Sequence, residues 1–375
     1  MAAVSIQEVQ SRKDLKRFIN LPWDIYADDP FWVPPIKPMQ KRLLTPGKHP
    51  FWQKAEGRLF LARRGDQVVG RIAAVVNHAL NDYQKENGGA WGFFECRRDP
   101  EAAMALFMAA EAWLRRAGVE FCRGPLNPST NYEVGLLVEG FDTPPAFMMT
   151  YNPAYYLEMV RACGYRKEKD LLSFRFHRDW QPPQWGWAVL ERVEKRWNVV
   201  VRPPDPKHLD DEIKLMNQIY HECWADNWGF VPMSAEELEY SAKDLYFIFD
   251  PNFAGFVVLN GETVGVFLML PDISPLLKRF NGALGLGALL KKKLYWSEIN
   301  SLRGLMMGIK KEYQQFGLPA VVVAHVMRAL QKNPQYQHME LGWNLEDNEG
   351  INRLYQDDGG GLPCKRYRIF RKPLA

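Results

Sequence analysis

The feature that most restricts the fold of this 375-residue chain is a repeat: landmarks of the first half recur about 195 residues later in the same order. Leu59-Phe-Leu-Ala-Arg-Arg-Gly-Asp-Gln-Val-Val-Gly70 reads as a strand, a Gly65-Asp66 turn and a second strand. Phe256-Val-Val-Leu-Asn-Gly-Glu-Thr-Val-Gly265 reads the same way, with Asn260-Gly261 as the hairpin turn. The glycines that end these segments, 70 and 265, lie 195 apart. A helical stretch from Asn152 to Gly164, ahead of an apolar strand at 171–176, is matched by Asn348 to Gly360 ahead of 366–370, an offset of 196. Each half reads strand, helix, hairpin, strand, helix, strand, helix, strand. That order predicts an α/β chain of two tandem domains, each a mixed sheet flanked by helices.

The segment Trp180-Gln-Pro-Pro-Gln-Trp-Gly-Trp187 suits neither a helix nor a central strand, so the predicted division is 1–179, a connector over 180–197, and 198–375. Two long interruptions break the repeat, 124–151 in the first copy and 271–300 in the second, and loops of that length are usually functional or disordered.

Charge narrows the function. With 48 Lys+Arg against 44 Asp+Glu, the net +4 is too small a surplus to indicate a nucleic-acid surface. Cys96, Cys122, Cys163, Cys223 and Cys364 form no CxxC pair and no zinc spacing, which fits a reducing compartment and no metal. The first residues carry charges where a signal peptide needs an apolar core, and no apolar run approaches the roughly 18 residues of a membrane span. A cytoplasmic protein is the expectation.

The segment 305–330 is the most informative. An apolar strand enters a polar loop with Gly317, and Pro319 takes the first helical position, where its missing N–H costs nothing. Such a junction aims free backbone N–H groups and the positive helix end at one point, which suits a phosphate, and Lys310 and Lys311 add charge. An ordinary strand-to-helix turn is the competing reading.

Gln314-Gln-Phe-Gly317-Leu-Pro319-Ala resembles the pyrophosphate loop of the GCN5-related N-acetyltransferases (GNAT): Gln or Arg, two residues, Gly, one residue, then Gly or Ala. Asn348-x-x-Ile351-x-x-x-Tyr355 followed by Gly359-Gly360 resembles their later Asn-x-x-Ala-x-x-x-Tyr helix. The resemblance is tandem, spans nearly the whole chain and is complete only in the second half. The departure is Pro319, which removes a donor where the family has Gly or Ala.

The resemblance implies acyl-CoA, acetyl or longer, as cosubstrate and an amine as acceptor. It implies two strands, 302–309 and 337–343, splayed around the pantetheine arm. Met307, Ile309, Lys311, Gln314, Gln315, Phe316, Gly317, Leu318, Ala320 and Asn348 would then bind the cofactor, although Asn348 could equally cap its helix. Tyr355 would give a proton to the departing thiolate, the rival reading being an apolar stripe of Ile351, Leu354 and Tyr355. The base that frees the amine would be Glu340 or, second, His338, the rival reading being a solvated or salt-bridged Glu340; alternation puts both on one strand face.

The first copy lacks the loop. Asp99, Pro100 and Glu101 satisfy the matching helix end with carboxylates that would repel a pyrophosphate, and Met159 stands where the second copy has Tyr355. Its candidate role is structural, its long loop an ordered crossover, or it holds the acceptor, through Asn131, Tyr132, Glu133, Tyr151, Asn152 and Tyr155. The interruption at 271–297 mixes Leu and Ala with Lys278, Arg279 and Lys291-Lys-Lys293, so it reads as a peripheral membrane contact, an acyl-chain cover or a plain helical hairpin. These segments are similar to bacterial tandem acetyltransferase-fold proteins of lipid N-acylation, such as ceramide-synthase-like members, which implies an amino-lipid acceptor; acetyl transfer to a small amine stays open. Two alternatives remain: a non-catalytic acyl-CoA-binding or scaffold protein, and an aminoacyl-tRNA-dependent transferase, which +4 disfavours.

Overall fold

In the computed structural model, which describes residues 2–358 and 360–374, contacts divide the chain into two units that differ from its sequence halves. The first contains the residues through Leu171, Leu276–Lys293 and the C-terminal residues from Lys365; the second contains Leu172–Pro275 and Leu294–Cys364. The division at 180–197 therefore needs correction. The end of the first half's final strand, 172–177, counts with the second unit, whereas the second half's final strand from Lys365 and residues 276–293 of its insertion count with the first. A repeat shows which elements recur but not which partner each finds.

In the first unit the sheet runs Val4–Glu8, Ala55–Arg64, Gln67–Asn77, Gly88–Cys96, Phe121–Gly124 and then the C-terminal strand Leu362–Pro373. Gly88–Cys96 and Phe121–Gly124 pair in parallel and the other neighbours antiparallel, so the sheet is mixed. Residues 70–76 are continuously buried because both faces are covered. Ile72, Ala74 and Val76 meet Leu106, Phe107 and Ala110 of helix Pro100–Arg116, while Ala73 meets Phe18 and Ile19 of helix Arg12–Ile25.

The second unit's sheet runs from residues 172–177, the end of strand Arg166–His177, through His338–Leu345, Ser301–Ile309, Glu262–Pro271 and Ala254–Leu259 to Val199–Arg202. Ile219 of helix Leu209–Trp224 packs with Phe256 and Val266, and His325 of helix Pro319–Lys332 lies 5.5 Å from Phe267, ring centre to ring centre.

The two hairpins repeat closely. Their turns fall at Gly65-Asp66 and Asn260-Gly261, with φ of 50° and 90° at the latter pair, as a two-residue turn of this kind requires. Each hairpin shifts register at one place, between Ala62 and Arg63 and between Val257 and Val258, positions again 195 apart.

One local expectation fails. Residues 180–197 include a helix, Gln184–Arg196, rather than an irregular connector. Pro182 and Pro183 precede its first turn, with Pro183 as the N-cap, and proline there removes no helical hydrogen bond.

Candidate functional site

The strand Ser301–Ile309, a 3-10 turn Lys311–Phe316, Gly317 and helix Pro319–Lys332 follow one another as expected. Gly317 has φ 76°, and a Cβ there would lie 2.6 Å from Val189 Cγ1 on helix Gln184–Arg196, so only glycine fits. Pro319 sits in the first helical turn and Leu318 is the N-cap, fully buried. The Ala320 and Val321 amides donate to the carbonyls of Gly317 and Leu318, 3.1 and 3.0 Å. Among the described residues, the amides of Gly317 and Leu318 have no backbone acceptor. Those two donors and the helix end are what this loop offers an anion. Those are the groups of this loop that would meet the diphosphate implied by the resemblance.

The lysines do not add to it. Lys310 lies 3.2 Å from Glu222 and 3.4 Å from Glu262, and Lys311 pairs with Asp226. Their charge is spent on carboxylates brought by helix Leu209–Trp224, the loop after it and the hairpin. Gln314 Nε2 donates to Ile309 O at 3.2 Å, tying the turn to its strand, and Phe316 packs on Trp197 at 5.2 Å. Gln315 is exposed.

Ser301–Ile309 and His338–Leu345 pair in parallel from Ser301↔His338 to Gly304↔Leu341, and the pairing stops there. Residues 305–309, which include Met307 and Ile309, thus present a main-chain edge with no strand partner on that side among the described residues. The opposite edge is filled by Glu262–Pro271, with Met307 opposite Phe267 and Ile309 opposite Gly265.

The two candidate catalytic residues are not brought together. Tyr355 packs on Phe174 and Phe176, at 5.6 and 5.4 Å, whereas Glu340 pairs with Arg175 at 3.6 Å and His338 meets His177 edge-on at 5.2 Å. Phe174 and Phe176 alternate with Arg175 and His177, so Tyr355 lies on one face of the strand and Glu340 on the other. Glu340 is buried, 3% exposed, with Arg303 as its register partner. It reads as the buried half of an ion pair with the partly exposed Arg175 rather than as a base beside Tyr355. Burial pushes the Tyr355 phenol up to about 12. Asn348 begins helix Glu349–Arg353 without a side-chain capping bond, contrary to the capping alternative. Gly359 of the same motif lies outside the described residues.

In the first unit, Asp99 caps helix Pro100–Arg116 through the Ala102 amide at 3.1 Å, and Arg64 holds Asp99 and Glu101 together. Several candidate acceptor contacts are occupied by structure. Asn152 accepts from the Leu137 amide and donates to the Leu137 and Pro153 carbonyls, so its amide clamps backbone and offers nothing to a substrate. Tyr155 donates to Cys96 O at 2.9 Å, and Tyr132 packs against His49 and Phe51. The Asn131 amide closes a turn on Ser129 Oγ. Tyr151 donates to the Asp29 carboxylate at 3.0 Å.

Sequence reasoning missed a buried cluster. Tyr26 and Tyr156 donate to Glu95 Oε2 at 2.7 and 2.8 Å, and Arg71 lies 3.6 Å from Oε1. Burial raises the Glu95 pKa against the pull of Arg71 and both hydroxyls. The signal was present: Glu95 is the one carboxylate in the apolar strand Gly88–Cys96.

Glu133 gives a prediction. Burial raises its pKa to about 7 although Arg71 pulls it down, while an unfolded Glu sits near about 4.3. The folded state binds the proton more tightly, so this contribution is present below the unfolded pKa and is lost as pH rises through about 7. Urea denaturation should show wild type losing about 2 kcal/mol relative to Glu133→Gln between about pH 4.5 and about pH 7.5. Parallel curves would remove Glu133 as the source.

No family model matches the chain. It is 34% identical over 384 residues to a bacterial ceramide synthase of Caulobacter vibrioides, covering 100% of this chain and 98% of that protein. It is 31% identical over 376 residues to Protein YghO of Escherichia coli, covering 97% and 94%. Among solved structures it is similar to a tandem GNAT protein from the clavulanic acid biosynthesis pathway, with a TM-score of 0.56 at 11% identity over 100% and 99% of the two chains. A GCN5-related N-acetyltransferase from Sphaerobacter thermophilus gives 0.54 at 14% over 100% and 97%. At such identities these two likenesses concern the fold.

Proposed function

The chain belongs to the family of the bacterial ceramide synthase and YghO and has the tandem GNAT fold, and from that premise we propose that it is an N-acyltransferase using acyl-CoA and an amino-lipid acceptor. The observation that carries the reading is the open main-chain edge at 305–309 leading directly into the Gly317 loop. An extended amide-bearing arm can pair along such an edge while its diphosphate meets the Gly317 and Leu318 amides. With Lys310 and Lys311 occupied by carboxylates, main-chain donors and the helix end supply the grip. Tyr355 keeps its proton at neutral pH and can give it to a thiolate; Asn348 begins the same helix. Glu340 acts through Arg175 as a support of the strand.

The amino-lipid acceptor is supported by the name of the first relative and by helix Leu286–Tyr295. There Leu290 and Leu294 are 71% and 68% exposed beside Lys291, Lys292 and Lys293, a combination suited to an anionic membrane surface. No helix among the described residues is long and apolar enough to cross a membrane.

Calorimetry with coenzyme A, acetyl-CoA and palmitoyl-CoA, followed by thiol release with sphinganine, tests the reading. All three thioester-site ligands should bind, and thiol release should need both palmitoyl-CoA and the long-chain amine. Absence of binding overturns the proposal. Binding without thiol release favours a non-catalytic acyl-CoA-binding protein, a reading that Pro319 and the neutralised lysines support. Gly317→Ala forces a Cβ onto Val189 at an unfavourable φ, and is expected to weaken coenzyme A binding about tenfold in the same titration.

A further inference from the structure

A cavity of about 390 Å³ is formed entirely by residues of the first unit. Trp23, Tyr26 and Trp32 supply aromatic walls, Asp29 a carboxylate, and Lys278 and Asn281 come from the insertion in the second half. Pro30 and Pro34 stiffen the segment that carries Trp32.

The walls are built rather than incidental. Tyr26 and Trp32 stack at 5.0 Å with planes 9° apart, and Trp23 meets Trp32 edge-on at 5.1 Å. Trp23 Nε1 donates to Asn281 Oδ1 at 2.7 Å, fixing the insertion against the wall. Lys37 already places an ammonium 3.9 Å from the Trp23 ring centre, so one face of this aromatic group is in use as a cation seat.

The charges are the informative part. Asp29 accepts only neutral donors: the Tyr151 hydroxyl at 3.1 and 3.0 Å, and the Phe31 amide at 2.9 Å. Lys278 donates to the Pro30 carbonyl at 2.5 Å. The cavity therefore holds one carboxylate and one ammonium, and among the described residues neither is in an ion pair with the other or with a third group. Two separate opposite charges in an aromatic-walled space match a ligand with both signs.

We propose that this cavity binds a small zwitterion in which a short linker joins a primary ammonium, able to donate hydrogen bonds to Asp29, to an anionic group. The ammonium meets Asp29 beside the aromatic wall that Trp32 presents, and the anion meets Lys278. Such a ligand leaves the filled cavity neutral, whereas a simple cation leaves Lys278 uncompensated. The proposal does not depend on acyl transfer. Its chemistry is shared by a free phosphorylated amino alcohol and by a phospholipid headgroup.

Calorimetry on the full chain with phosphoethanolamine, ethanolamine and inorganic phosphate tests it. Phosphoethanolamine should bind about tenfold or more tightly than either fragment, and Asp29→Asn and Lys278→Gln should each weaken it about tenfold. Lys278 lies outside both sheets, so its variant remains informative even where Asp29→Asn disturbs the Tyr151 contact; circular dichroism verifies each fold. Flotation with phosphatidylcholine vesicles, with and without phosphatidylethanolamine, separates the sources. Capture that needs phosphatidylethanolamine and is lost in Lys278→Gln assigns a headgroup, and binding of the free compound alone assigns a soluble ligand. Equal affinity for ethanolamine and phosphoethanolamine, or failure of both the free compound and the headgroup to bind, overturns the proposal.

Discussion

Tyr355→Phe is expected to lower turnover about a hundredfold while leaving coenzyme A affinity unchanged, the low end of what general acid catalysis contributes. The substitution isolates the hydroxyl. Phenylalanine keeps the ring between Phe174 and Phe176, at 5.6 and 5.4 Å, so a residue that served only packing would lose almost nothing. Burial holds the phenol at about 12, well above the roughly 8.5 of an ordinary thiol, so the group stays protonated through the working range. Handing a proton from a group at about 12 to a thiolate at about 8.5 is uphill, so the hydroxyl helps mainly by hydrogen bonding to the departing sulfur, and a thiolate is a tolerable leaving group unaided; both facts argue for the low end. Thiol release under saturating substrates measures turnover, and calorimetry measures affinity. Equal turnover in the two proteins would take Tyr355 out of the mechanism.

Local chemistry was legible in the sequence wherever one or two adjacent residues decide the backbone. Asn260-Gly261 allows little but a tight hairpin, and Gly317 followed by Pro319 requires a turn into a helix. Spatial partners were not. Alternation puts His338 and Glu340 on one face, but which face depends on Arg175 and His177, which lie more than 150 residues away in sequence. Lys310 and Lys311 looked available for a phosphate because Glu222, Asp226 and Glu262 come from other elements. Asn152 looked like a pocket residue, since the type that contacts ligands is also the type that clamps buried backbone. The exchange of final strands was hidden for a related reason: both copies end in similar apolar strands, and periodicity carries no record of pairing.

The polar residues on those strands do carry such a record, and Asp170→Asn is the test of it. Asp170 is 1% exposed and accepts two hydrogen bonds from Arg368, at 2.7 and 2.8 Å, with Arg366 at 3.3 Å and Lys167 at 3.2 Å. Burial alone would raise its pKa, but the Arg368 hydrogen bonds and charge, with help from Lys167, bring it below 3.8. Asparagine keeps the size but removes the charge, leaving the two arginines of the C-terminal strand without the carboxylate they surround. Breaking a buried pair this way is expected to cost about 3–5 kcal/mol at neutral pH, read from urea midpoints. The sign with pH follows from the depressed folded value: the carboxylate's contribution is present above the unfolded pKa of about 3.9 and disappears as pH falls through the lower folded pKa. Wild type and variant should therefore converge in acid. The exposed pair of Glu191 and Lys195, 66% and 74% exposed, is the control, and Glu191→Gln should leave the midpoint where it was. Hydrogen exchange locates the effect. Loss of protection should concentrate where residues 370–373 pair with Phe121–Gly124, since Asp170 precedes the point at which the chain leaves the first unit and its arginine partners lie on the strand that returns to it. An Asp170→Asn protein as stable as wild type would mean that the returning strand is held by its apolar residues alone, Tyr367, Ile369 and Phe370, all buried to within 1%.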